Sequence, residues 1–206
     1  MTEKPHRYKE AFERLFEIVE AQGGYFTTKQ AEAAGFSEKN HAYHVRSGNW
    51  VREHRGIYRL TKFPNADRPD LILWHLWSRG RNDQPQGVYS HDTALSIYDL
   101  SDVSPAKLHM TVPPSFRRSG ALPKILRLHR GTVHNEDIEK RLGIKVTRPL
   151  KTISDLLLDR TIQMDHLQQA VREAFKRGLI TRAQIERAQG IPSAVKNEIE
   201  RLRGDQ

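Results

Sequence analysis

Gly24–Leu60 reads GYFTTKQAEAAGFSEKNHAYHVRSGNWVREHRGIYRL, and its punctuation decides the fold of the N-terminal half. Tyr25-Phe26 is a short extended piece. Thr27 or Thr28 can cap a helix carrying Ala31, Ala33 and Ala34, whose small side chains admit a second helix at close range. Gly35 ends that helix and supplies the tight turn of a helix-turn-helix. Ser37 is the N-cap expected for the next helix, which runs to about Ser47 before Gly48-Asn49 breaks it. At about 100° per residue, His41, Ala42 and Val45 fall on one side. Lys39, Asn40, Tyr43, Arg46 and Ser47 gather on the other, with His44 at the flank. Phosphate binders and base-edge hydrogen-bonders thus share one face. Trp50–Glu53 and Gly56–Leu60 are β-prone runs around His54-Arg55, and the glycine at the return signals a hairpin. Alternation turns Trp50, Val51, Ile57 and Leu60 partly inward. It leaves Arg52, His54, Arg55 and Arg59 for a phosphate backbone.

From Ser37 to Lys62 there are six Lys/Arg against Glu38 and Glu53. A helix, a helix-turn-helix and a basic hairpin in that order predict a winged helix-turn-helix, with double-stranded DNA as the first partner to consider. The expected DNA-binding set is Thr27, Thr28, Lys39, Asn40, Tyr43, His44, Arg46, Ser47, Arg52, His54, Arg55 and Arg59.

Working outward, Tyr8, Ala11, Phe12, Leu15, Phe16 and Val19 recur at helical steps and place an amphipathic helix before Gly23-Gly24. The full chain of 206 residues has room for one large or two small domains. Its 34 Lys+Arg against 25 Asp+Glu give +9, which favours a polyanionic partner. There are no cysteines, so disulfides, thiolate metal sites and cysteine nucleophiles are excluded. No apolar signal core or membrane span is legible, so a soluble, cytoplasmic protein is expected.

Lys62–Pro69 carries two prolines among polar residues and reads as a stiff linker. The expected division is a winged-helix domain over 1–63, a linker over 64–69 and a second domain over 70–206. Asp70 can cap a helix bearing Leu71, Leu73, Trp74 and Trp77. Beyond it, Gly87 to Ser90 leads into a helix, and strands are expected near 108–112, 125–128 and 144–147. Helices are expected at 94–98, 151–158, 164–176, 182–189 and 193–203. The fold class is therefore α+β, an N-terminal winged helix-turn-helix plus a C-terminal mixed α/β domain.

Charge in the second domain is uneven. Lys107 to Lys151 holds eleven Lys/Arg against Glu136, Asp137 and Glu139. Arg117, Arg118, Lys124, Arg127, Arg130, Lys145 and Arg148 form a candidate second basic patch. A solvated face, a second DNA contact and a surface for an acidic partner all fit it. The strands at 108–112 and 125–128 could set Arg127 and Arg130 on one open sheet face.

The succession GYFTTKQAEAAGFS, VRSGNWVR and RGIYRL resembles the N-terminal domain of AbiEi-type antitoxins, the DNA-binding half of type IV toxin-antitoxin modules. Tyr89–Ser96, Leu108–Pro113 and Val146–Leu156 follow the order of that family's second domain, so the resemblance runs from about residue 10 to 190. Leucines often stand in that family where this chain has His41 and His44. The resemblance implies an antitoxin-like second domain that neutralises a cognate nucleotidyltransferase-like toxin and can also support DNA binding. It further implies autorepression at inverted repeats in the promoter. The alternative is a winged-helix regulator with no toxin, whose second domain dimerises or binds an effector.

Catalysis is not expected. A restriction-type nuclease needs an acidic residue two positions before a lysine to organise Mg²⁺ and water, and none of the twelve lysines has one. Ser90-His91-Asp92 holds triad residue types, but neighbours at a helix start are expected to diverge. No phosphate loop, nucleophile elbow or cofactor motif occurs. His41, His44 and His54 lack a carboxylate or cysteine to complete a metal site, so no metal is expected.

Overall fold

The computed structural model describes residues 3–160 and 162–204. They divide into two compact units: the chain up to Gln86 together with Lys140–Ile144, and Gly87–Glu139 together with the chain from Lys145 onward. Helices and sheets are mixed in both.

In the first unit α1 (Glu3–Glu20) is followed by β1 (Tyr25–Thr27), α2 (Thr28–Ala34), α3 (Glu38–Arg46), β2 (Trp50–His54) and β3 (Ile57–Leu60). The strands pair antiparallel in the order β1-β3-β2. Of the α1 stripe, Ala11, Leu15 and Val19 are buried, while Tyr8, Phe12 and Phe16 stay partly exposed. The buried residues join Phe26, Ala31, Ala34, Phe36, Trp50 and Leu60 in one core. Thr27, not Thr28, is the N-cap of α2. Its hydroxyl accepts from the Gln30 backbone N–H, and the Thr27 backbone N–H donates to the Gln30 side-chain oxygen. Gly35 closes α2 at φ 111°, a left-handed conformation that disfavours any side chain. Ser37 occupies the cap position of α3 but makes no side-chain capping bond.

The first unit does not stop at residue 63. Pro69 at the first helical position starts α4 (Pro69–Trp77), with Arg68 as N-cap and ion-paired to Asp70, so Asp70 lies in the first turn and does not cap the helix. α4 packs on β1 and β3. It buries Leu71, Ile72, Leu76 and Trp77, an apolar face that a linker-led second domain would have had to cover elsewhere. The segment after it is also tied in. Arg79 donates to the Gly56 carbonyl and pairs with Asp83, and the Thr27 hydroxyl donates to Asp83. The boundary expected at 63–70 is corrected accordingly: hydrophobic burial and this polar clasp carry the unit to Gln86.

A five-stranded sheet, β6-β5-β4-β8-β7, is formed by β4 (Val88–Tyr89), β5 (Leu108–Val112), β6 (Leu126–Arg130), β7 (Ile138–Arg141) and β8 (Ile144–Thr147), and all of it except Lys140, Arg141 and Ile144 belongs to the second unit. β4 runs antiparallel to β5 and parallel to β8, and β5 runs parallel to β6. Helices α5 (His91–Tyr98), α6 (Pro149–Asp159), α7 (Met164–Lys176), α8 (Arg182–Arg187) and α9 (Ser193–Gly204) complete it. α5 packs on β5 and α6, while α9 packs on α6 and α7. Tyr89, Leu95, Tyr98, Met110, Ile153 and Leu156 are almost fully enclosed. β7 and the short helical turn Asn135–Asp137 were not legible in the sequence. No helix among the described residues is long and apolar enough to cross a membrane.

Candidate nucleic-acid interface and a histidine cluster

Lys39, Asn40, Tyr43, Arg46 and Ser47 all lie on the exposed side of α3, and Tyr43 is 60% exposed although it is a large aromatic. An aromatic ring beside an amide, two cations and a hydroxyl can stack and hydrogen-bond at once, which few purely structural faces need. Ser47 and Asn49 are linked, the amide donating to the hydroxyl at 2.9 Å, so the helix end is ordered. On the hairpin, Arg52 and Arg55 are exposed.

Five expected members of this set are placed otherwise. Thr27 is fully buried, because its hydroxyl is spent on the cap and on Asp83. His44 is 6% exposed and stacks on Trp50 with ring centroids 4.5 Å apart, with Phe36 edge-on at 5.2 Å. Burial lowers its pKa, and neighbouring His41 adds to the effect, so it serves as a neutral core ring. A step of three residues from His41 leaves His44 within about 60° of the buried side. Arg59 donates to the Glu53 carboxylate at 2.9 Å across the hairpin and is engaged there. His54 is half-buried with its ring against Trp74. Thr28 is also half-buried, its backbone N–H donating to the Gly56 carbonyl.

His41 is buried as expected. Its Nε2 lies 3.0 Å from the Phe36 carbonyl, which can only accept, so that nitrogen carries the proton. Sequence reasoning missed the cations that the segment after α4 brings to the hairpin turn. Lys29 donates to the Arg81 carbonyl at 2.7 Å, and Arg81 is exposed. Arg79 reaches the Gly56 carbonyl at 3.2 Å. Gly56 is required there: its φ is +68°, and a Cβ would stand 2.8 Å from the Arg79 guanidinium.

The candidate second basic patch is dispersed. Arg127 and Arg130 are three residues apart on β6, so period-two alternation turns them to opposite faces, and the expectation of one shared sheet face is corrected. Arg117 and Arg130 both donate to the Pro114 and Phe116 carbonyls and brace that loop. Arg148 is the N-cap of α6 and lies 3.8 Å from Glu139. Lys124 is exposed, whereas Arg118 and Lys145 are only partly so.

The sheet face that bears Arg127 also carries a histidine cluster. Register places Thr111 opposite His129 and His109 opposite Arg127 on the parallel β5–β6 pair. His91 opens α5 at φ 54°. That left-handed turn accompanies contact of its Nδ1 with the Ser90 hydroxyl at 2.9 Å, while its Nε2 meets Asp159 at 3.1 Å. The adjacent serine and histidine therefore do meet, contrary to expectation, with Asp159 in the third position. This is not a nucleophile relay: Ser90 is fully buried and also accepts from Thr111 at 2.8 Å, so no substrate carbonyl can reach it.

Residues 13–61 match the family model described as transcriptional regulator, AbiEi antitoxin. No curated protein matches the chain. Among solved structures, the RV2827C protein from Mycobacterium tuberculosis is similar in fold. It has a TM-score of 0.57 at 15% identity over 94% of this chain and 76% of that one.

Proposed function

We propose that the first unit is a winged helix-turn-helix that binds double-stranded promoter DNA, with α3 in the major groove and the β2–β3 hairpin as the wing. The observation that carries this reading is the exposed row Lys39, Asn40, Tyr43, Arg46 and Ser47 on the second helix of the pair, within the stretch that matches the AbiEi family. Asn40, Tyr43 and Arg46 face base edges. Lys39, Arg52, Arg55 and Arg81 hold phosphates. The second unit makes the protein an antitoxin that neutralises a nucleotidyltransferase-type toxin, and the first represses its own operon. It acts by binding, not by catalysis.

The test uses the full chain and duplex DNA from upstream of its own reading frame. Arg46→Ala weakens specific binding by about 1–3 kcal/mol, while Arg55→Ala and Arg81→Ala weaken all sequences alike and each lower the salt slope by about one. Unchanged affinity in all three removes the docking. Co-expression with the product of the adjacent reading frame tests neutralisation: growth must be rescued by the full chain. The histidine cluster favours a second reading of the second unit, an effector site in a regulator without a toxin.

A further inference from the structure

We infer that His91, His109 and His129 form a binding site for a divalent first-row transition cation of the zinc class, with the Asp159 carboxylate at its open side. One ring nitrogen of each histidine lies within 4.8 Å of those of the other two. The inference goes beyond the DNA-binding and antitoxin readings and stands without them.

The outer contacts leave ligand atoms free. His109 is 5% exposed, and its Nε2 faces Asp92 at 3.9 Å while its buried Nδ1 has no hydrogen-bond partner among the described residues. His129 differs: its Nδ1 lies 3.5 Å from the same Asp159 oxygen that meets His91 Nε2, while its buried Nε2 has no such partner among the described residues. His91 has its Nδ1 on Ser90, leaving Nε2 to exchange its Asp159 contact for a metal. One nitrogen held by an oxygen and the other bare is the arrangement metal-binding histidines adopt, because the outer contact fixes tautomer and ring orientation. A buried imidazole nitrogen without a partner is costly; His41, His44 and His54 each have one too, but among the described residues only His91, His109 and His129 bring three such rings together.

The imidazoles are ready to ligate. Burial, reinforced by the neighbouring histidines and Arg127, lowers the pKa values of His109 and His129 to about 4, so both are neutral at pH 7. The His91 and His129 rings stack at 3.6 Å, so one of them turns about its side-chain bonds for both in-plane lone pairs to meet one ion. Arg127 and Lys151 oppose a dication, and the carboxylates of Asp92, Asp155 and Asp159 offset them. Three nitrogen donors select zinc, cobalt or nickel over magnesium or calcium, which take oxygen. Asp159, whose side chain is 43% exposed, leaves an approach from solvent.

The experiment takes untagged full-length protein, stripped with a chelator, and titrates it with Co²⁺ and then Zn²⁺. One equivalent of Co²⁺ gives visible d–d absorption that Zn²⁺ displaces. His109→Gln and His129→Gln each weaken binding by more than about 100-fold, and Asp159→Asn by about 10- to 100-fold. His134→Gln, exposed and outside the cluster, leaves it unchanged. Cobalt uptake that survives both histidine variants overturns the site, as does no uptake at all. Should those variants not fold, the wild type decides: Zn²⁺ must shift the ring ¹⁵N resonances of His91, His109 and His129 together, and their constancy refutes the inference.

Discussion

Thr27 separates a structural role from a DNA-binding one, and Thr27→Val makes the separation measurable. The replacement keeps the shape and deletes the hydroxyl that caps α2 and donates to Asp83. Losing an N-cap costs about 1 kcal/mol. Losing a hydrogen bond to a charged acceptor costs about 1.5–3 kcal/mol, moderated here because Asp83 keeps its Arg79 partner. The expected loss is about 2–4 kcal/mol, a large part of an ordinary domain's stability of about 5–15 kcal/mol. Thr27→Ser keeps both hydroxyl bonds and gives up one buried methyl, about 1 kcal/mol. Urea unfolding followed by tryptophan fluorescence reads the right unit, because Trp50, Trp74 and Trp77 all belong to the first. A Thr27→Val midpoint within about 0.5 kcal/mol of wild type would refute the reasoning. So would loss of DNA affinity under conditions where that variant is fully folded, since a capping residue has no business with the duplex.

Other outcomes follow from the same contacts. Because burial lowers the His44 pKa, the first unit is at full stability above about pH 6.5 and loses it as pH falls toward the folded-state value, the unfolded chain taking up the proton first. His44→Leu should flatten that fall in tryptophan-detected melts. In the second unit, His109 and His129 place the matching decline between about pH 6.5 and their folded values of about 4. Hydrogen exchange of β5 and β6 amides in metal-free protein would read it. Gly35→Ala forces a side chain into a left-handed turn with Ala11 3.3 Å from the new Cβ, and should cost more than about 1 kcal/mol in the urea assay. Trp50→Ala removes the ring against which Phe26, Phe36 and His44 pack. About 3–5 kcal/mol should go, read by circular dichroism.

The order of elements from α1 to β3 was legible because each boundary has a local signal, such as Gly35 after the alanine helix or Gly56 at the hairpin return. The exposed face of α3 followed from helical phase alone. His44 did not, because its inward turn depends on Trp50 and Phe36, which belong to other elements. The placement of α4 was hidden for a related reason. Two prolines before a helix look the same whether that helix opens a new domain or packs back on β1 and β3. Arg81 escaped notice because only the clasp through Arg79 and Asp83 brings it near Lys29. The histidine cluster lay beyond reach altogether, since 91, 109 and 129 converge only through a parallel β5–β6 register that no local pattern announces.

The clasp between α4 and the β1–β3–β2 sheet bears on how this protein should be cut. A fragment ending at residue 63 would strip the cover from β1 and β3 and leave Thr27 without Asp83. Its complement, opening at residue 70, would carry Leu71, Ile72, Leu76 and Trp77 with nothing from their own unit to pack on. Aggregation of either piece would then report the position of the scissors and not the capacity of the domains to fold. Stopping at Gln86 respects the clasp but still forfeits Lys140–Ile144, which the chain returns to the first unit from fifty residues downstream. Dissection by point substitution in the intact chain is the cleaner route to dividing labour between the halves.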